Sequence, residues 1–308
     1  MPVATEISRR LSLPLVAAPM TGVSGPDLVV AACRNGVIGS FPTHNAATVE
    51  ELGGWLSDMA SELGPESAPI APNLVVHPTN ARLDRDLDVL VEHGIELVIT
   101  SVGSPAPVME RLHAAGCRVY ADVATMRQAE KAIAVGVDGL VLLSAGAGGQ
   151  TGQANPFAFV RAVRDRFDGT LVLAGGISDG TALYAAEVLG ADLSYMGTRF
   201  IATQESLASS DYRDALVSAS MDDVELSTEV GGLPASLLGD WLEQRRASKQ
   251  AVSAGDFRTD RLVADPSVWS AGHSVSGVTD VPDIDTLVAR VRREYDDARA
   301  AVRVSLGG

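Results

Sequence analysis

Two glycine-rich segments in the second half of the chain have the composition and spacing of phosphate contacts. Ala174-Gly175-Gly176-Ile177-Ser178-Asp179-Gly180 and Tyr195-Met196-Gly197-Thr198-Arg199-Phe200 each close a short apolar run. Glycine has no Cβ, so such a segment lets backbone N–H groups approach an anion, and a helix starting just beyond adds the positive end of its dipole. One such loop turns the chain as often as it binds anything. Two on successive strands point to a held phosphate, with Gly175, Gly176, Met196, Gly197 and Thr198 as the contacts. The second chemistry on offer is proton transfer, because imidazole changes charge near neutrality. His77 follows an apolar run in Asn73-Leu-Val-Val-His77-Pro-Thr-Asn80 and is the candidate base. His44 and His273 occupy similar loop positions and are candidate substrate contacts, whereas His93 and His113 fall in or at the ends of expected helices and read as structural.

These residues need a frame that brings distant loops to one place. Eight apolar runs recur along the first two thirds: Leu15–Met20, Val37–Phe41, Ile70–Val76, Leu97–Val102, Arg118–Val123, Gly139–Ala145, Leu171–Gly175 and Leu193–Thr198. Segments of helical period separate them, which is the pattern of βα units on a parallel sheet. Thr48 with Glu51 forms a capping box, Asn155-Pro156 starts a helix, and Gly36, Gly94, Gly116 and Gly136 fall where helices should stop. Eight alternating units predict an α/β fold, a (β/α)8 TIM barrel over residues 1–205. Its phosphate sites are commonly built after the seventh and eighth strands, where both glycine segments fall. Residues 206–270 read as a helical lid without further strands of the earlier type, and 271–308 as a tail whose helix packs back on the barrel. That helix carries Ile284, Leu287, Val288, Val291, Tyr295, Ala298 and Val302 on one stripe.

Composition narrows the partners. The formal net charge is −15 over 308 residues, which argues against a nucleic-acid surface but allows a local phosphate pocket. Cys33 and Cys117 show no metal-ligand spacing and read as buried thiols of a reducing compartment, so no metal is expected. Arg9-Arg10 before an apolar run superficially suggests a leader, but Pro14 breaks the run, and no stretch is long enough to span a membrane. A cytoplasmic protein with a small-molecule substrate is expected, and a homodimer is compatible with the sequence. Arg9-Arg10, Asp84–Asp88 and Arg292–Asp297 read as solvated charge, while Trp241 and Trp269 shape the active-site mouth or pack the lid.

The motifs taken together resemble the nitronate monooxygenase family, formerly called 2-nitropropane dioxygenases. They are Leu171–Gly180, Leu189-Gly-Ala-Asp192, Met196–Thr203 with Glu205-Ser206, Ala18-Pro19-Met20, Pro72-Asn73-Leu74, Gly146-Ala-Gly-Gly149 and Trp269-Ser-Ala-Gly272. The resemblance implies FMN held without a covalent bond. It places Ala18, Pro19 and Met20 beside the flavin ring and Asn73 as a polar contact, with Gly148, Gly176, Gly197 and Thr198 at the flavin or its phosphate.

One departure concerns the chemistry. Where the family's best-described class has a histidine that deprotonates neutral nitroalkanes, this chain has Gln150, in Gly146-Ala147-Gly148-Gly149-Gln150. Glutamine can orient a substrate but is no base at neutral pH. Leu143 likewise stands where the family often has glutamine. Three functions follow as expectations. The first is an FMN-dependent oxidoreductase that oxidises alkyl nitronates or related carbanions with dioxygen, with Gln150 and His77 as the catalytic residues. The second is an FMN-dependent, NAD(P)H-using enoyl-thioester reductase, and the third a flavin-binding sensor or scaffold without turnover.

Overall fold

The computed structural model describes residues 3–248 and 268–305. Eight parallel strands close a barrel: β1 (Leu15–Ala17), β2 (Ile38–Pro42), β3 (Ile70–Val75), β4 (Leu97–Ser101), β5 (Arg118–Val123), β6 (Gly139–Leu143), β8 (Thr170–Ala174) and β9 (Leu193–Met196). Closure is made by β9 on β1, with Val16 opposite Tyr195 and Ala17 opposite Met196. The eight runs of the sequence are these eight strands; six of the strands end one to three residues before their run, β5 ends with its run and β2 ends one residue after it. The excess belongs to loops at the barrel mouth, which are apolar because they too are covered.

Alternation along each strand divides the core into two layers. Val16, Ile99, Tyr120, Val141, Val172 and Tyr195 fill the barrel interior. Ala17, Leu74, Val119, Leu140, Leu173 and Met196 face the surrounding helices. The short helix α1 (Thr5–Ser8) closes the far end of the barrel with Ala4 and Ile7 against the interior layer, and Arg10 forms an ion pair with Glu96 at 2.6 Å. The expected helix starts are present. Thr48 caps α3 (Val49–Glu62) by accepting from the Glu51 N–H, Asn155 caps α7 (Pro156–Arg164), and Asp179 caps α8 (Gly180–Leu189). Gly36, Gly94, Gly116 and Gly136 all follow helix ends with positive φ. At Gly36 the need is double, because a Cβ there would also meet Ser12 at 2.7 Å.

The segment expected as a helical lid contains strands. α10 (Ser210–Ser218) leads into an antiparallel hairpin of β10 (Val224–Ser227) and β11 (Ala235–Leu238), followed by α11 (Gly239–Ala247). The hairpin is joined by the two-residue β7 (Gly149–Gln150) from the loop after β6, with Gln150 opposite Ala235 and Gly149 opposite Ser236. The sequence reading missed this sheet because its strands are short and their pairing partner lies some eighty positions earlier. Residues 249–267, the rest of the expected lid, lie outside the described residues. The final helix α12 (Ile284–Ser305) packs on α8 and on α2 (Pro26–Arg34). Of its stripe, Ile284, Leu287, Val288, Val291 and Tyr295 are buried, Ala298 is half-buried and Val302 is exposed, since the helix outruns the surface it covers. No helix among the described residues is long and apolar enough to cross a membrane.

Candidate active site

The loops at the C-terminal ends of the strands surround one large cavity, roofed by the hairpin. Its walls are built from the strand ends upward. Ala18, Pro19 and Met20 leave β1, and the Ala18 N–H donates to the Met196 carbonyl at 3.1 Å, so the first and last strands stay joined past their ladder. The loop after Met20 is pinned by Asn45. Its amide donates to the carbonyls of Met20 (2.9 Å) and Ser24 (2.8 Å) and accepts from the Gly22 N–H (3.0 Å). Asn45 itself sits in a 3₁₀ turn after β2, which Arg82 grips through the Ala46 carbonyl at 2.7 Å while pairing with buried Asp86. On β3, Asn73 accepts from the Ser101 hydroxyl at 2.9 Å, which leaves its amide N–H₂ as the group it can offer to a ligand. Val102, just past β4, has a φ of 52° and lines the cavity. A β-branched residue in that region is strained, and such strain concentrates at functional sites.

The glycines divide by cause. Gly148 is needed by packing, because a Cβ there would meet the Gly272 nitrogen at 2.7 Å. The Ala271–Gly272 backbone is wedged between Gly148 and Thr198, whose hydroxyl accepts from the Gly272 N–H at 3.0 Å. Gly176 is different. Its φ is 74°, and a Cβ would meet nothing within 4 Å, so its backbone borders open space on the cavity. Gly197 has an ordinary φ, and a Cβ there would sit 3.7 Å from Met20 Sδ. The helix dipoles contribute less than the sequence suggested. The N-terminus of α8 is already taken by the Asp179 side chain, on the Ala182 N–H at 2.8 Å, and by Glu294, on the Gly180 N–H at 3.0 Å. The helix after Gly197, α9 (Thr198–Ile201), has only four residues. An anion here would rest on loop N–H groups instead.

Of the residues singled out in the sequence, Ala18, Pro19, Met20, His44, Asn73, Gly148, Gln150, Gly175, Gly176, Gly197 and Thr198 line this one cavity. Three do not. Met196 points outward into the helix-facing core, because strand alternation turns Tyr195 inward in its place. His77 lies two residues past the end of β3 and turns to its own loop, with Nδ1 2.8 Å from the Thr79 hydroxyl. His273 is exposed, its backbone N–H donating to the Gly146 carbonyl at 2.9 Å. Strand parity decided Met196, and the chain's direction past the strand ends decided the two histidines, of which a loop position gives no sign.

Electrostatically the cavity is sparse. No lysine, arginine or glutamate is among the described residues that line it. Burial pushes His44 down to about 4, with Arg82 adding to the effect, so its ring is neutral at neutral pH. Its Nε2 lies 3.0 Å from the Thr21 hydroxyl, and its buried Nδ1 has no partner. Tyr212 donates to the Ser270 carbonyl at 2.5 Å and stacks on Trp269 with ring centroids 5.3 Å apart. Trp241 packs inside the lid core, under the Arg245 guanidinium. Asp122 was missed altogether. It points into the barrel from β5 and lines the cavity, and desolvation pushes its carboxyl up to about 8. An aspartate two positions after a barrel-interior tyrosine was the available signal, since it shares the inward parity of Tyr120.

Comparison with known proteins places this geometry in context. The family profile described as nitronate monooxygenase matches residues 4–261. A nitronate monooxygenase of Paraburkholderia phytofirmans is 26% identical over 307 residues, covering 85% of this chain and 81% of that one. The (3aS,4S,5R,7aS)-5-hydroxy-7a-methyl-1-oxo-octahydro-1H-indene-4-carboxyl-CoA dehydrogenase of Rhodococcus jostii is 27% identical over 225 residues, 73% of this chain. That match spans 62% of the dehydrogenase, less than two thirds of its length. The fold is shared with FabK from Thermotoga maritima at a TM-score of 0.82 and 22% identity, covering 98% of this chain and 99% of that one.

Proposed function

The chain belongs to the nitronate monooxygenase family of flavin-dependent oxidoreductases, and from that premise we propose that it holds FMN at the barrel mouth and oxidises alkyl nitronates or related carbanions with dioxygen. The observation that carries the reading is that both glycine loops, the Pro19-Met20 turn and Asn73 open on the same cavity. The residues fit the group. The open space beside Gly176 takes a phosphate where a Cβ would otherwise stand, Asn73 offers its amide N–H₂, and the walls between are largely apolar, as a flat aromatic ring requires. The Thr198 hydroxyl accepts from Gly272 and keeps its own proton to donate.

When bound, the flavin supplies the two-electron redox chemistry between an electron-rich carbon and dioxygen. The chain binds, orients and dries the site. Gln150 offers amide donors to the oxygens of a nitronate, and the pairing of β7 with β11 fixes its backbone. Val230, Leu233 and Leu237 of the hairpin segment bring apolar side chains to the cavity and keep water from the carbanion. A nitronate arrives already deprotonated, so Gln150 needs to take no proton. His77, held in its own loop, contributes nothing to this reading of the site.

A second reading is an FMN-dependent reductase of enoyl thioesters that uses NAD(P)H. The similarity to a carboxyl-CoA dehydrogenase favours it. One anaerobic experiment tests both. Protein that purifies yellow, releases FMN on denaturation and is bleached by a nitronate supports the monooxygenase. Rapid bleaching by NAD(P)H and not by nitronates selects the reductase, and protein that cannot be reconstituted with FMN overturns both.

A further inference from the structure

Two polar side chains inside the barrel have an atom with no hydrogen-bond partner, Asp122 Oδ1 and the Tyr195 hydroxyl, and both residues line the cavity. The carboxyl is the more telling. Its Oδ1 is buried although the side chain is only partly so, and a buried polar atom without a partner is unfavourable, so its persistence calls for something that satisfies it. Ala121 and Val123 on either side face the helices, which fixes Asp122 inward, and the cavity is its outlet. Tyr120 shares its inward face on β5 and Tyr195 on β9 lies near it, while His44 from the turn after β2 and Tyr212 from the lid line the same cavity. Both interior tyrosines are pushed further up by burial, and His44 is neutral, so none supplies a positive charge. A carboxyl in such surroundings keeps its proton and is a hydrogen-bond donor.

A flavin ring presents carbonyl oxygens and unprotonated nitrogens along its edge, all acceptors. We propose that Asp122 meets the bound flavin as a neutral acid and donates its O–H to an acceptor on that edge. The inference rests on the FMN reading above, and it gives the cofactor a contact that carries its own proton. Covering the carboxyl with the ring removes its remaining water and adds a hydrogen bond to its protonated form. Its pKa therefore rises further on binding, and FMN affinity is full below the free carboxyl's pKa and falls as the pH climbs past it.

The experiment is the FMN dissociation constant of the apoprotein from pH 6 to 9.5, measured by flavin fluorescence for wild type, Asp122→Asn and Asp122→Leu. Wild-type affinity should be flat up to about pH 8, where burial places the carboxyl, and weaken above it by up to about tenfold per pH unit. Asp122→Asn keeps a donor without the ionisation, so it should bind near the wild-type level at pH 7 and lose the carboxyl's pH dependence. Asp122→Leu should bind more weakly at pH 7 and show no such dependence. Titrations of the flavin itself occur in all three proteins and cancel. Should a variant not fold, infrared difference spectra of the wild-type holoprotein with isotope-labelled aspartate decide the matter, a protonated-acid carbonyl band at pH 7 supporting the contact and its absence overturning it. FMN binding with no carboxyl-linked pH dependence, or with the same dependence in Asp122→Asn, overturns this inference alone. Failure to bind FMN at any pH removes its premise and overturns the functional reading with it.

Discussion

Gln150 and Asp122 frame the chemistry at the scale of single residues, because one has lost a base and the other gains a proton. General-base assistance is worth about 10²- to 10⁴-fold. Gln150→His should therefore raise turnover of neutral nitroalkanes by up to that factor while leaving preformed nitronates nearly unchanged. Parallel steady-state assays on the two substrate forms check it, and equal effects on both would show that Gln150 is not where the base belongs. At the phosphate end, Gly197→Asp is the cleaner probe, because Gly197 has an ordinary φ of −103° while Gly176, at 74°, adds backbone strain to any substitution. Gly197→Asp should weaken FMN binding at least tenfold with little change in the apoprotein's melting temperature, by flavin titration and calorimetry side by side. Asp122 carries a stability consequence as well. Burial holds its carboxyl up at about 8, well above the usual carboxylate value, so its contribution is fully present below that usual value and lost as the pH rises toward 8. Asp122→Asn should thus stabilise the apoprotein at pH 7 by up to about 4 kcal/mol, at about 1.4 kcal/mol per pH unit, with the two denaturation curves converging near pH 4.

Between elements, the site depends on loops tied to one another more than on any single loop. Asn45, after β2, holds the loop after β1 through three hydrogen bonds, and Met20 is part of what it holds. Asn45→Ala removes all three, at about 1 kcal/mol each. It should lower FMN affinity several-fold more than Asn45→Asp, which keeps the acceptor for the Gly22 N–H but loses the two donors. Flavin titration of the two variants makes the comparison, and identical affinities would mean that the β1 loop holds its shape unaided. The β7–β11 pairing is the second tie. It couples the loop bearing Gln150 to the lid, so the floor and the roof of the substrate space belong to one sheet.

For the whole molecule, the decisive contact is the crossing of α8 and α12. A Cβ on Gly180 would lie 2.1 Å from the Tyr295 nitrogen and 2.2 Å from the Val291 carbonyl oxygen, both backbone atoms of α12. The crossing is fastened by Tyr295, which donates to Glu187 and stands edge-on to Tyr184 at 5.9 Å. Gly180→Ala must push the two helices apart and should destabilise the protein by about 2 kcal/mol or more. Chemical denaturation measures this, and an unchanged midpoint would mean the tail is not clamped as described. Because Glu294 of α12 also accepts from the Gly180 N–H, the tail fixes the start of the helix that follows the Gly176 loop. A loosened tail should therefore also loosen FMN.

The sequence by itself determined the barrel, since eight apolar runs separated by helical segments admit few other closures, and it determined the two glycine loops, since local composition alone marks them. It also placed Pro19-Met20 at the end of the first strand, Asn73 on the third and Gln150 in the loop after the sixth, at the face where a barrel gathers its chemistry. The tertiary structure decided the rest. Whether a residue near a strand end faces the cavity depends on strand parity and on the loop's exit direction, which turned Met196 outward, kept His77 in its own loop and left His273 exposed, while bringing Asp122 inward. The sheet that joins Gln150 to Ala235 is a pairing of short strands far apart in the chain, and local pattern carries no trace of a partner. Charge and burial around a site are properties of everything packed against it, so the neutral ring of His44 and the proton of Asp122 belong to the fold and not to the residues.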